Sequence, residues 1–73
     1  MDDNPGNIER YEKQFGIIAV EKGFISAENL IKALKIQVEE ETRFNTHRLI
    51  GEILIDKGYI TPVQVQAVLD VIF

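Results

Sequence analysis

Apolar side chains recur along this chain at the three- and four-residue spacing of helices that face a core. Ile8, Tyr11, Phe15 and Ile18 form one stripe, and Ala27, Leu30, Leu34 and Val38 form a second. Leu49, Ile50, Ile53 and Leu54 form a third, and Val65, Val68, Leu69 and Ile72 a fourth. The pattern predicts a first helix from about Asn7 to Lys22 and a second beginning after Ser26. A polar connection follows around Thr42 to Thr46, where Asn45 or Thr46 can cap a third helix. A fourth helix begins at Thr61. Residues 1–6 read as a loose tail and 7–73 as a single domain. The short runs Ile17–Val20 and Glu52–Ile55 also admit a strand reading, because so few apolar residues do not separate the two periods.

The chain repeats itself at a shift of 35 residues. Phe15-Gly16-Ile17-Ile18-Ala19-Val20-Glu21-Lys22-Gly23-Phe24-Ile25-Ser26 lies over Ile50-Gly51-Glu52-Ile53-Leu54-Ile55-Asp56-Lys57-Gly58-Tyr59-Ile60-Thr61 without a gap. The copies span about 14–37 and 49–72. Gly23 and Gly58 follow apolar stretches, where a left-handed residue ends a helix without a Cβ clash. The aromatic after each glycine can fold back on the last turn. Ser26 and Thr61 can then cap the next helix. The second copy adds Pro62 at the first helical position and Gln64 where a capping box needs it. These caps favour helices over strands. Two such hairpins cannot each bury an apolar face alone, so an all-α, compact four-helix domain is expected.

Composition narrows what such a domain does. At 73 residues it is near the size where one core barely suffices, and with no cysteine it has no disulfide or thiolate metal site. A single histidine cannot anchor a structural zinc site, so neither metal nor cofactor is expected. Twelve acidic against eight scattered basic residues argue against a nucleic-acid binder. Met1-Asp2-Asp3-Asn4 has no basic region with an apolar run behind it, and no apolar run approaches bilayer length. A soluble cytoplasmic protein without membrane insertion is therefore the expectation. No paired carboxylates accompany a base, nucleophile or metal set, so an enzyme is not expected.

The doubled pattern Gly-x-Ile-x-x-x-x-Gly-(Phe/Tyr)-Ile-(Ser/Thr), followed by a helix ending near Leu34-Lys35-Ile36-Gln37, resembles the N-terminal domain of bacterial type II secretion and type IV pilus assembly ATPases. The resemblance covers about Gln14 to Ile72. It implies docking onto a protein partner of a secretion or pilus platform and, in a subset, binding of cyclic di-GMP. No Gly-x-x-x-x-Gly-Lys-(Ser/Thr) loop occurs, so ATP hydrolysis does not carry over and a stand-alone relative is expected. In the nucleotide-binding subset each repeat opens Arg-Leu-Gly and closes near a glutamine. Here the first copy opens Gln14-Phe15-Gly16, and the second opens Arg48-Leu49-Ile50-Gly51. The extra residue turns Arg48 about 100° around a helix relative to the glycine. Gln37 is kept in the first copy, whereas Ile72 replaces it in the second. Protein docking is thus the leading expectation and cyclic di-GMP the alternative, with Gly16, Gln37, Arg48 and Gly51 as candidate ligand-binding residues.

Several residues carry two readings. Gly16 and Gly51 serve close helix packing or close approach of a ligand. Glu39-Glu40-Glu41 is either a solvated helix end fraying into a loop or a docking patch for a basic partner. His47 beside Arg48 suggests a phosphate or acid–base site, although a solvated helix-start residue is the plainer reading. Phe73 either closes the core or anchors a second subunit, which makes a homodimer a candidate assembly.

Overall fold

A computed structural model describes the backbone of residues 5–73 and the side chains of residues 11–73. The described chain is α1 (Pro5–Glu21), α2 (Ala27–Phe44), α3 (Ile50–Asp56) and α4 (Pro62–Ile72), an all-α four-helix domain. Ile17–Val20 and Glu52–Ile55 are helical, which removes the strand alternative. Of the expected tail, Met1–Asn4 lies outside the described residues, while Pro5 and Gly6 stand in the first turn of α1. The Ile8 side chain of the first stripe also lies outside them.

Both corners follow the repeat atom for atom. Gly23 takes φ +80° and Gly58 φ +76°, the left-handed region. Phe24 N–H donates to the Ala19 carbonyl at 3.0 Å and Gly23 N–H to Val20 at 2.9 Å. In the second copy Tyr59 donates to Leu54 and Gly58 to Ile55, both at 2.9 Å. This pair of bonds is the Schellman stop, and it satisfies carbonyls that the helix end would otherwise leave open. The next helices start as expected: Ser26 Oγ accepts from Asn29 N–H at 3.0 Å, and Thr61 Oγ1 accepts from Gln64 N–H at 3.1 Å. Gln64 Oε1 in turn accepts from Thr61 N–H at 3.0 Å, completing a capping box ahead of Pro62.

Between the copies the chain departs from expectation. α2 does not fray near Thr42 but continues to Phe44, with Arg43 in its last turn where the helix dipole favours a cation. Asn45, at φ +53°, ends α2 rather than capping the third helix. Asparagine tolerates the left-handed region, so the same residue could start one helix or stop another. Thr46 Oγ1 is spent on the Phe44 carbonyl. Leu49 is the N-cap of α3, and since leucine has no acceptor, only the reverse half of a capping box forms, Leu49 N–H to Glu52 Oε1 at 2.9 Å. Residues 45–49 belong to no helix, so Arg48 precedes α3 instead of lying on it.

The largest contacts run between the copies: α2 against α3, α1 against α4, and α1 against α3. Each hairpin is closed by the other, as its apolar face requires. Phe15, Ala19, Ile25, Ala33, Ile50, Ile53, Leu54, Ile60 and Val68 form the core. The second helix turns a different face inward than its stripe suggested. Leu30, Ala33 and Ile36 pack on the core, while Ala27, Leu34 and Val38 are exposed. Leu49 of the third stripe is likewise exposed.

Candidate functional site

Glu12 stands on the buried side of α1, four residues before Gly16 and three before Phe15. Its side chain is buried, and three groups hold its carboxylate. Oε1 accepts from Gln37 Nε2 at 2.7 Å and from Ile50 N–H at 2.8 Å, and Oε2 lies 2.8 Å from His47 Nε2. Gln37 Nε2 also donates to the Arg48 carbonyl at 2.9 Å. The Ile50 N–H is one of the orphan donors at the start of α3, so the carboxylate completes that helix as well as joining α1 to α2. No described buried side-chain nitrogen or oxygen lacks a partner.

The acidic run folds back on the linker. Glu41 pairs with His47 Nδ1. Glu40 holds the Arg48 guanidinium through two bonds, Nε to Oε1 at 3.0 Å and Nη2 to Oε2 at 2.7 Å. Asp56 is 3.8 Å from Arg48 Nη1. The hydrogen bond from Arg48 lowers the pKa of Glu40, and Glu40 reciprocally raises that of Arg48. His47 is raised above its ordinary value, first by the bond to Glu41 and then by the bond to Glu12. Glu39 is exposed and makes no side-chain pair among the described contacts. Glu12 and Glu41 occupy opposite nitrogens of one imidazole, and no group of three or more acidic, His or Cys side chains among the described residues is placed to hold a metal ion.

The candidate ligand residues therefore separate. Arg48 is bonded to Glu40 and Gln37 to Glu12 and the Arg48 carbonyl, and of the two Gln37 also lines the groove over Gly16. Gly16 and Gly51 instead floor two grooves at corresponding positions of the repeat. The first, about 460 Å³, is lined by Glu12, Lys13, Gly16, Ile17, Leu30, Leu34 and Gln37. The second, about 180 Å³, includes Gly51, Glu52, Val65 and Leu69, the repeat equivalents of Gly16, Ile17, Leu30 and Leu34. A Cβ at Gly16 would lie 2.8 Å from Leu30 Cδ1, and one at Gly51 would lie 3.4 Å from Phe15 Cζ. Both glycines thus admit a neighbouring side chain, the packing role, and leave a groove above it.

Phe73 is exposed at the far edge, its ring 5.6 Å from that of Tyr11, so it does not close the core. Sequence reasoning missed Glu12 altogether; His47 is exposed, as a solvated residue would be, but both its ring nitrogens are paired. The available signal was a carboxylate set within the apolar stripe of the first helix.

The chain matches no protein-family model, no curated protein and no solved structure. Among the described residues no helix is long and apolar enough to cross a membrane.

Proposed function

We propose that this chain is a protein-docking module that takes an apolar helical segment of a partner into the groove over Gly16. The observation that carries this is an unpartnered apolar surface on two adjacent helices. Ile17 of α1 is 44% exposed, and Ile31, Leu34 and Val38 of α2 are 54%, 39% and 58% exposed. Ile31, Leu34 and Val38 recur at helical spacing, and Leu34 and Ile17 wall the groove itself. A trough between two helices fits the ridge of a third, and a contiguous apolar patch is the usual mark of a partner site.

The doubled glycine motif extends this to a partner class, a protein of a secretion or pilus platform. On this reading the module works in the cytoplasm, alone or as a homodimer, and catalyses nothing. The groove offers less to cyclic di-GMP. A phosphate needs a free guanidinium or open backbone amides. Arg48 is engaged by Glu40, Gln37 by Glu12, and Glu12 adds negative charge to the groove wall.

The test places a photo-crosslinking amino acid at Leu34 and identifies the captured peptide by mass spectrometry, with Ile17→Lys as competitor-free control. One partner helix captured at Leu34 and lost with Ile17→Lys is the expected result. Capture of this chain alone would make the surface a dimer interface. Saturable amide shifts at Gly16, Gln37, Arg48 and Gly51 on adding cyclic di-GMP would replace docking with nucleotide binding.

A further inference from the structure

We propose that the 45–49 linker is a proton-operated latch, closed on α1 and α2 while the His47 ring carries both protons and released when one leaves. The geometry sets this requirement. His47 Nε2 meets Glu12 Oε2 at 2.8 Å, and Nδ1 meets Glu41. Ionised carboxylates only accept, and neutral imidazole has a single N–H, so only the imidazolium serves both sides. Loss of one proton turns a nitrogen lone pair toward a carboxylate and replaces a charge-assisted bond with repulsion.

The groups facing the ring come from every neighbouring element. α1 supplies Glu12, with exposed Lys13 beside it, and α2 supplies Glu40 and Glu41. The linker supplies Arg48, and α3 contributes Asp56 next to Arg48 and the Ile50 N–H on Glu12. The charged residue of α4, Asp70, accepts from Gln66 of its own helix. Of these residue types histidine alone ordinarily changes charge near neutral pH. The pairing with Glu41 and Glu12 raises the His47 pKa, so the latch changes state on the alkaline side of about 6.5.

Release is partial by construction. The Arg48–Glu40 fork does not involve His47, so the C-terminal end of the linker stays tethered while residues 45–47 gain freedom. The Ile50 N–H bond weakens with it, because Glu12 loses the partner that fixes its other oxygen.

The test is an NMR pH titration of the isotope-labelled whole chain from about pH 5.5 to 9. His47 is the single histidine, so its ring resonances are unambiguous. The expected result is a ring midpoint above about 6.5, both ring nitrogens protonated below it, and a coincident upfield move of the Ile50 amide. Backbone order at residues 45–47 should fall through the same midpoint, with Gly23 and Gly58 amides unmoved. In His47→Gln, which keeps an exposed polar side chain, the Ile50 amide should show no such transition. An unchanged Ile50 amide and linker order through the wild-type histidine titration would overturn the latch, as would the same transition in His47→Gln.

Discussion

Gly58 stands at φ +76° with nothing within 4 Å of where a Cβ would lie, so a side chain there meets backbone strain alone. Gly58→Ala should therefore lower stability by about 1–2 kcal/mol, the cost of a left-handed L-residue, with Asn milder and β-branched Val worse. Gly16 is the reverse case. Its backbone is helical, and its added Cβ meets the flexible end of Leu30 at 2.8 Å. Alanine there gains about 1 kcal/mol of helix propensity against the displacement of one side-chain terminus. Gly16→Ala should accordingly unfold in urea near the wild-type midpoint, while Gly58→Ala unfolds distinctly earlier. Equal losses at the two positions would mean that the glycines serve one purpose, contrary to their geometry. The sequence alignment of the copies identifies both glycines as special, but only the backbone angle and the neighbouring atoms separate a helix stop from a groove floor.

At the scale of elements, what could be read in advance was whatever local chemistry decides alone. The corner Lys57-Gly58-Tyr59-Ile60-Thr61-Pro62 combines a left-handed stop, a cap and a proline at the first helical position, and no distant contact is needed to choose that outcome. Besides Pro62, the two starts differ in their caps: Thr61 and Gln64 exchange bonds, whereas Ser26 only accepts. Thr61→Ala should thus cost more than Ser26→Ala, each on the order of 1 kcal/mol, with Gln64→Ala recovering part of the Thr61 loss when measured first. Matched urea midpoints for Thr61→Ala and Ser26→Ala would show that the reciprocal bond adds nothing. The α2–α3 connection was less legible because its residues are ambiguous one by one. Asn45 can start or stop a helix, Leu49 has no side-chain acceptor, and the start of α3 is settled by Glu52 and by Glu12, 38 residues away. The inward face of α2 was misjudged for a related reason. Leu34 and Val38 are apolar enough to be core, and only the packing of α2 with Ala33 facing the core turns them outward.

For the whole molecule, the decisive contact joins α1 to the linker between the copies. Glu12 and His47 are 35 residues apart, the repeat shift itself, and they touch at 2.8 Å. Glu12 lies inside α1 and His47 in the 45–49 linker, so the pair ties the first helix to the connection between the copies. A carboxylate facing an imidazolium attracts, so the pair draws the linker onto α1. The copies match from Phe15 and Ile50 onward, so both partners of this contact lie outside the repeat and no repeat match marks them. Stability should carry the mark of this junction. The folded-state pKa of His47 is raised, so its contribution is fully present below the unfolded value of about 6.5 and is lost as pH rises through the folded value. The urea midpoint of the wild type should therefore fall between about pH 6 and pH 9, and that of His47→Gln should change less over the same interval. With 42% of the His47 side chain exposed, the difference should also shrink in molar salt. A wild-type midpoint that holds constant or rises across that interval, or one that His47→Gln reproduces, would mean that the two halves are joined by their apolar core without help from the Glu12–His47 pair.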